Sequence, residues 1–167
     1  DYFGDDIQPG DILASNDPYA GASHLNDIFM FRPVYKDGER ICILGLILHH
    51  TDLGGRVAGG QAADSDEIYQ EGLRIPPSKI YVADKPNDTL LRVIEHNTRV
   101  PNTVMGDVRA QLAALAARAA RAYLSRRRAA PPPAGKDPPA GAARRADRAP
   151  PARGRPRLMC GNLSRET

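Results

Sequence analysis

Apolar residues gather in short strand-length runs as far as Val82 and then recur at helical spacing, so strands precede helices along the chain. Ile12 to Ser15 reads as a short strand opening behind the turn Gln8-Pro9-Gly10-Asp11. Asn16-Asp17-Pro18 ends it, because the residue before a proline is pushed out of the helical region. The small residues up to Ser23 leave only a loop. Ile28 to Tyr35 is strand-like, Asp37-Gly38 is a hairpin signal, and Ile41 to Leu48 returns as a second strand. That return strand is apolar on both of its faces, which predicts a central or fully covered position.

Beyond it, Gly54-Gly55 and Gly59-Gly60 keep the backbone irregular, and Lys79 to Val82 reads as a further short strand. Asn87-Asp88-Thr89 caps a helix running to about Asn97. A second helix follows Pro101-Asn102-Thr103, with Val104, Val108, Leu112, Leu115 and Ala119 along one face. The expected class is α/β (mixed α+β), a central β-hairpin in a mixed sheet with flanking helices. After about Leu124 the pattern dissolves into Ala, Pro, Arg and Gly, so residues 125–167 are expected to be a disordered tail behind a folded part at 1–124.

Charge divides the chain at nearly the same place. Residues 1–109 hold 10 Lys and Arg against 17 Asp and Glu, a net −7; residues 110–167 hold 13 against 3, a net +10. The overall +3 thus describes an acidic body with a basic tail. The tail would bind phosphate non-specifically, yet Tyr123 near its start is the lone aromatic after residue 110, so no stacking platform exists for single strands. An origin in out-of-frame reading of GC-rich coding DNA suits its composition better than a nucleic-acid-binding arm. The longest apolar run is eight residues, against about 20 for a membrane span. With no initiator Met and no leader, the chain reads as an internal piece of a longer protein. Cys42 and Cys160 make no disulfide framework, which makes a reducing cytoplasm the expected compartment.

The candidate chemistry lies on both sides of the hairpin. His24 and Asp27 close the first loop, and His49, His50 and Asp52 follow the return strand. Imidazole with carboxylate is a ligand set for divalent Zn, Mn or Fe. A two-residue turn at Asp37-Gly38 sets Lys36 opposite Glu39 and Asp27 opposite Leu48, with His50 the diagonal neighbour of Asp27. A one-residue bulge sets His49 opposite Asp27 instead. In either register one histidine meets Asp27 and the other points away, because strand side chains alternate. The spare histidine and Asp52 are the candidate catalytic pair, and Asp17 is a further carboxylate in the same loop. The paired glycines suit close approach of backbone to a ligand, but no phosphate-binding loop follows them. Arg74 is a candidate anion clamp for substrate. Cys42, in mid-strand, is a core residue rather than a nucleophile.

The ordered blocks Gly10-Asp11, Asn16 to Tyr19, Gly21, His24 with Asp27, His49-His50 with Asp52 and Gly54-Gly55, Glu67 to Pro77, Asn97 with Arg99 and Pro101, and Gly106-Asp107 with Arg109 to Gln111 resemble the hydantoinase B/oxoprolinase family. That family includes N-methylhydantoinase B subunits, the C-terminal half of 5-oxoprolinases and α-type subunits of acetone and acetophenone carboxylases. The resemblance implies that this chain is a fragment of a large α/β subunit. It implies an A-type partner that uses ATP on the substrate carbonyl, and a B part that completes hydrolysis of a cyclic amide (hydantoin, 5-oxoproline or lactam) at Zn or Mn. It implies His24, Asp27 and one of His49 and His50 as metal ligands, His49 first, which leaves His50 as acid/base. A ketone carboxylase subunit is the alternative enzyme. An inactive remnant with a basic nucleic-acid-binding arm is the alternative outside enzymes.

Overall fold

The computed structural model describes residues 2–128. Five strands form one sheet in the order β3-β2-β1-β4-β5. They are β1 (Ile12–Ser15), β2 (Asp27–Lys36), β3 (Glu39–His49), β4 (Ser78–Val82) and β5 (Lys85–Pro86). Every pairing is antiparallel. Two helices follow, α1 (Asp88–His96) and α2 (Pro101–Arg128). The α/β expectation of a hairpin-centred sheet with helices therefore holds, with antiparallel pairing throughout.

Local chemistry accounts for the elements. Asp37 and Gly38 both have positive φ (52° and 85°), the two-residue turn that matches the twist of a hairpin. The Asn87 side chain accepts from the Leu90 N–H at 3.2 Å and caps α1. Helix α2 runs four residues past the expected boundary at Leu124, to Arg128. The remainder of the tail expected at 125–167 lies outside the described residues.

One face of the sheet is the core. Ile12, Ala14, Ile28, Met30 and Ile80 from the strands pack with Ile94 of α1 and Val104, Met105, Val108 and Leu115 of α2. Fully burying a side chain of that size stabilises the fold by about 1.5–3 kcal/mol. Buried Asp11 ties the entry turn to the far side of the sheet, accepting from the backbone of Gln8 and Ala83 and from the Lys79 ammonium. Burial alone would raise its pKa, but these donors outweigh burial and hold the carboxyl below its ordinary value.

Strand β3 corrects one expectation. It is an edge strand, not a central one: Ile43 and Ile47 are 47% and 54% exposed, while Leu44 and Leu46 of the other face pack on the core. The strand is apolar on both sides, but β2 alone pairs with it and no described element covers its outer face. No helix among the described residues is long and apolar enough to cross a membrane.

Candidate metal centre

The site forms where the long loop before β2 meets the end of β3. The hairpin turn pairs Lys36 with Glu39, and a bulge between Val34 and Tyr35 then advances the register by one residue. His49 consequently sits directly opposite Asp27, with Phe29 opposite Ile47. Of the two registers open to the sequence, the chain adopts the bulged one.

His24 completes the group. Its Nδ1 lies 3.0 Å from Asp27 Oδ2, and His49 Nδ1 lies 3.0 Å from Asp27 Oδ1. The two rings stack with centroids 5.0 Å apart at 23°. One potential ligand atom from each of His24, Asp27 and His49 falls within 4.8 Å of the others. Asp27 and His49 form a normal hydrogen bond. His24 Nδ1 does not: it is buried and makes no hydrogen bond, although a carboxylate oxygen stands 3.0 Å away. A buried nitrogen aimed past hydrogen-bond geometry at an anion is well suited to share a cation with it. A tetrahedral ion with bonds of about 2.0–2.1 Å holds its ligand atoms roughly 3.3 Å apart; each imidazole nitrogen here stands 3.0 Å from an Asp27 oxygen. The donor set, two imidazoles and a carboxylate, fits Zn or Mn and leaves coordination positions open.

Buried amides hold the loop in this shape. Asn16 donates to the Leu25 and Leu73 carbonyls at 2.6 and 2.9 Å and accepts from the Ile75 N–H at 2.6 Å. Asn26 donates to the His50 and Gly59 carbonyls, each at 3.0 Å, and accepts at its own carbonyl from the His50 N–H at 2.8 Å. The residues flanking both Asp27 and His49 are thus bonded to each other. Beside His24 opens a cleft of about 380 Å³ lined by Gly60, Gln61, Ala62, Ala63 and Glu71.

The other candidate residues lie elsewhere. His50 is fully buried and turned toward α2, its Nε2 3.4 Å from Gln111 Oε1 and its Nδ1 without a hydrogen bond. Burial outweighs the Gln111 contact and lowers its pKa from the ordinary 6.5. Asp52 is 3% exposed and accepts from the backbone N–H groups of Arg99, Gly59 and Gly54, from Thr98 Oγ1 and from Arg99 Nη1. Burial would raise its pKa, but those donors bring the carboxyl down to about 2. Asp17 caps a single 3₁₀ turn at Pro18–Ala20. The Arg74 guanidinium lies over the rings of Tyr19 and Tyr69, 5.7 Å from each centroid, with its Nε 3.8 Å from Asp17. The paired glycines serve backbone packing: a Cβ on Gly55 would meet the Gln70 carbonyl oxygen at 2.6 Å, and one on Gly60 would strike that of Glu71.

Gln111 has a role that periodicity could not assign. It donates to the Ile28 and Leu46 carbonyls at 2.8 and 3.2 Å while facing His50, and so fastens α2 to both hairpin strands. Its signals were its place in the family block ending at Gln111 and its interruption of the apolar face of α2.

Comparison with known proteins finds relatives in sequence and in fold. The caprolactamase β subunit of Pseudomonas jessenii is 38% identical over 113 residues, covering 68% of this chain and 19% of that subunit. The crystal structure of the ATP-dependent caprolactamase from Pseudomonas jessenii superposes with a TM-score of 0.69 at 36% identity, over 75% of this chain and 22% of that one. A nucleotide-free acetone carboxylase structure shares the fold, with a TM-score of 0.67 at 22% identity over 77% of this chain and 17% of its own. The chain spans about a fifth of the length of that β subunit. The model of the Hydantoinase B/oxoprolinase family matches residues 1–124, and the chain belongs to that family of ATP-dependent cyclic amide hydrolases and carboxylases.

Proposed function

We propose that this chain carries the metal corner of a hydantoinase B-type subunit that hydrolyses a cyclic amide. The observation that carries this reading is the convergence of His24, Asp27 and His49 within 4.8 Å, with His24 Nδ1 buried and without a hydrogen bond. These three residues would hold a divalent Zn or Mn ion. When bound, it would polarise the amide carbonyl or activate water. ATP would be used by an A-type partner subunit, and the cytoplasm is the proposed compartment. Caprolactamase acts on a lactam, and the 38% identity to its β subunit favours amide hydrolysis over ketone carboxylation. The likeness to acetone carboxylase is one of fold.

His50 and Asp52 take positioning roles in this reading, in place of the acid/base roles their spacing suggests. His50 anchors the end of β3 to α2, and Asp52 gathers the loop after it. Arg74, in cation–π contact with two exposed tyrosines, is proposed as the anion-binding group for a substrate carboxylate or phosphate. Metal content of the full chain, measured after reconstitution and dialysis, tests the centre. About one ion per wild-type chain and none with His24→Ala plus Asp27→Ala is expected. Equal content in both would sink the assignment.

A further inference from the structure

The metal ligands end a continuous apolar strip. On the outer face of the hairpin, strand alternation lines up Asp27, Phe29, Phe31 and Pro33 on β2, and their partners His49, Ile47, Gly45 and Ile43 on β3. Only the first pair is polar. Ile47 is 54% exposed, Ile43 47% and Phe31 38%, while Phe29 is half-buried and Pro33 buried, so the strip is open along β3 and at Phe31. Single exposed apolar residues are ordinary, but a contiguous run is a recognition feature. Gly45 keeps it flat: the Phe31 ring lies across that position, 3.2 Å from where a Cβ would stand.

Phe29 and Ile47 are two residues from Asp27 and His49 on the same face, roughly 7 Å along the strands. That is within reach of the rest of a small molecule whose carbonyl sits at the metal. We infer that Phe29 and Ile47 form the wall that receives the apolar methylenes of the substrate, and that this wall selects for the size of the hydrocarbon part. The inference rests on the metal-centre reading above. It assigns specificity to two residues that bear no chemistry of their own. Their partners in recognition are carbon atoms, so the selectivity is graded: each buried methylene contributes at most about fourfold in affinity.

The test uses the full chain loaded with Co(II), whose visible absorption reports ligand binding without any need for activity. Alkyl hydroxamates are the probes, since the head group chelates the metal and the tail length can be varied. Hexanohydroxamate is expected to bind about tenfold more tightly than acetohydroxamate. Ile47→Ser should cut that ratio to below about threefold and leave acetohydroxamate affinity unchanged. Ile43→Ser, about 13 Å farther along β3, should keep the full ratio. Far-UV circular dichroism of each variant checks that the sheet is intact, and exposure of Ile47 makes loss of folding unexpected. A Co(II) spectrum with no dependence on tail length overturns the wall while leaving the metal centre standing. Failure to bind Co(II) overturns both. Self-association abolished equally by Ile43→Ser and Ile47→Ser would assign the strip to a contact between copies and overturn the wall.

Discussion

Arg99 grips Asp52 from two directions, its backbone N–H donating to Oδ2 and its Nη1 to Oδ1, each at 2.7 Å. The same guanidinium reaches the carbonyls of Gly54, Gly55 and Val57, so one side chain closes the loop that follows the histidine pair. Breaking a buried pair by removing one partner costs about 3–5 kcal/mol. The Arg99 side chain is 44% exposed, and solvent screens part of that. Arg99→Ala is therefore expected to lose about 2–3 kcal/mol in urea unfolding, with Arg99→Lys intermediate because a lysine ammonium cannot span the same carbonyls.

The same pair gives an acid dependence. The Asp52 carboxyl is held at about 2 in the folded chain against 3.8 ordinarily. A depressed folded pKa means that the unfolded chain takes up the proton first as pH falls. The contribution is complete above about pH 4 and is lost as pH drops toward 2. Measured against pH, the stability difference between wild type and Asp52→Asn should shrink across that window. A constant difference would contradict the pairing.

Gly60 is the least replaceable glycine of the loop. It has φ +72°, and an added Cβ would strike the Glu71 carbonyl oxygen and lie 3.1 Å from Asn26 Oδ1. Left-handed strain and a backbone clash together predict about 2–4 kcal/mol lost in Gly60→Ala. Gly21→Ala is the comparison: φ is also positive, +106°, but nothing lies within 4 Å. Strain alone predicts about 1–2 kcal/mol there. Equal losses in thermal unfolding would refute the close approach.

The sequence could not settle the register for a physical reason. Ile43 and Ile47 occupy one face of β3, and Leu44, Leu46 and Leu48 the other, so both registers bury aliphatic residues and periodicity does not choose. The same two-sided pattern makes an edge strand look central. What was legible was short-range: the Asp37-Gly38 turn, the Asn87 cap and the His24 and Asp27 spacing are all decided within a few residues. Arg99 with Asp52, and Gln111 with His50, join residues more than forty positions apart. No local rule announces such pairs, because each is made by the packing of segments far apart in the sequence. The glycine pairs were legible as places of close approach to a ligand, but what approaches is the chain itself: the Gln70 and Glu71 backbone at Gly55 and Gly60, and the Asn97 carbonyl at Gly54.

Separating His49 from His50 is the sharpest test of the centre. His49 is 56% exposed at its side chain and His50 is fully buried, so the two should differ in opposite senses with and without metal. Without metal, His49→Ala is expected to stay within about 0.5 kcal/mol of wild type, as exposed substitutions do. His50→Ala should lose about 2–3 kcal/mol, from the space it leaves and the Gln111 oxygen it strips of a partner. With Zn at about a hundred times its Kd, a bound ion adds about 2.7 kcal/mol to the folded state. That metal-dependent rise in Tm should vanish in His49→Ala and persist in His50→Ala, because His50 points from the opposite face of the strand toward α2. If the rise persists in His49→Ala and vanishes in His50→Ala, the ligand is His50 and the bulged register is not the one that binds metal.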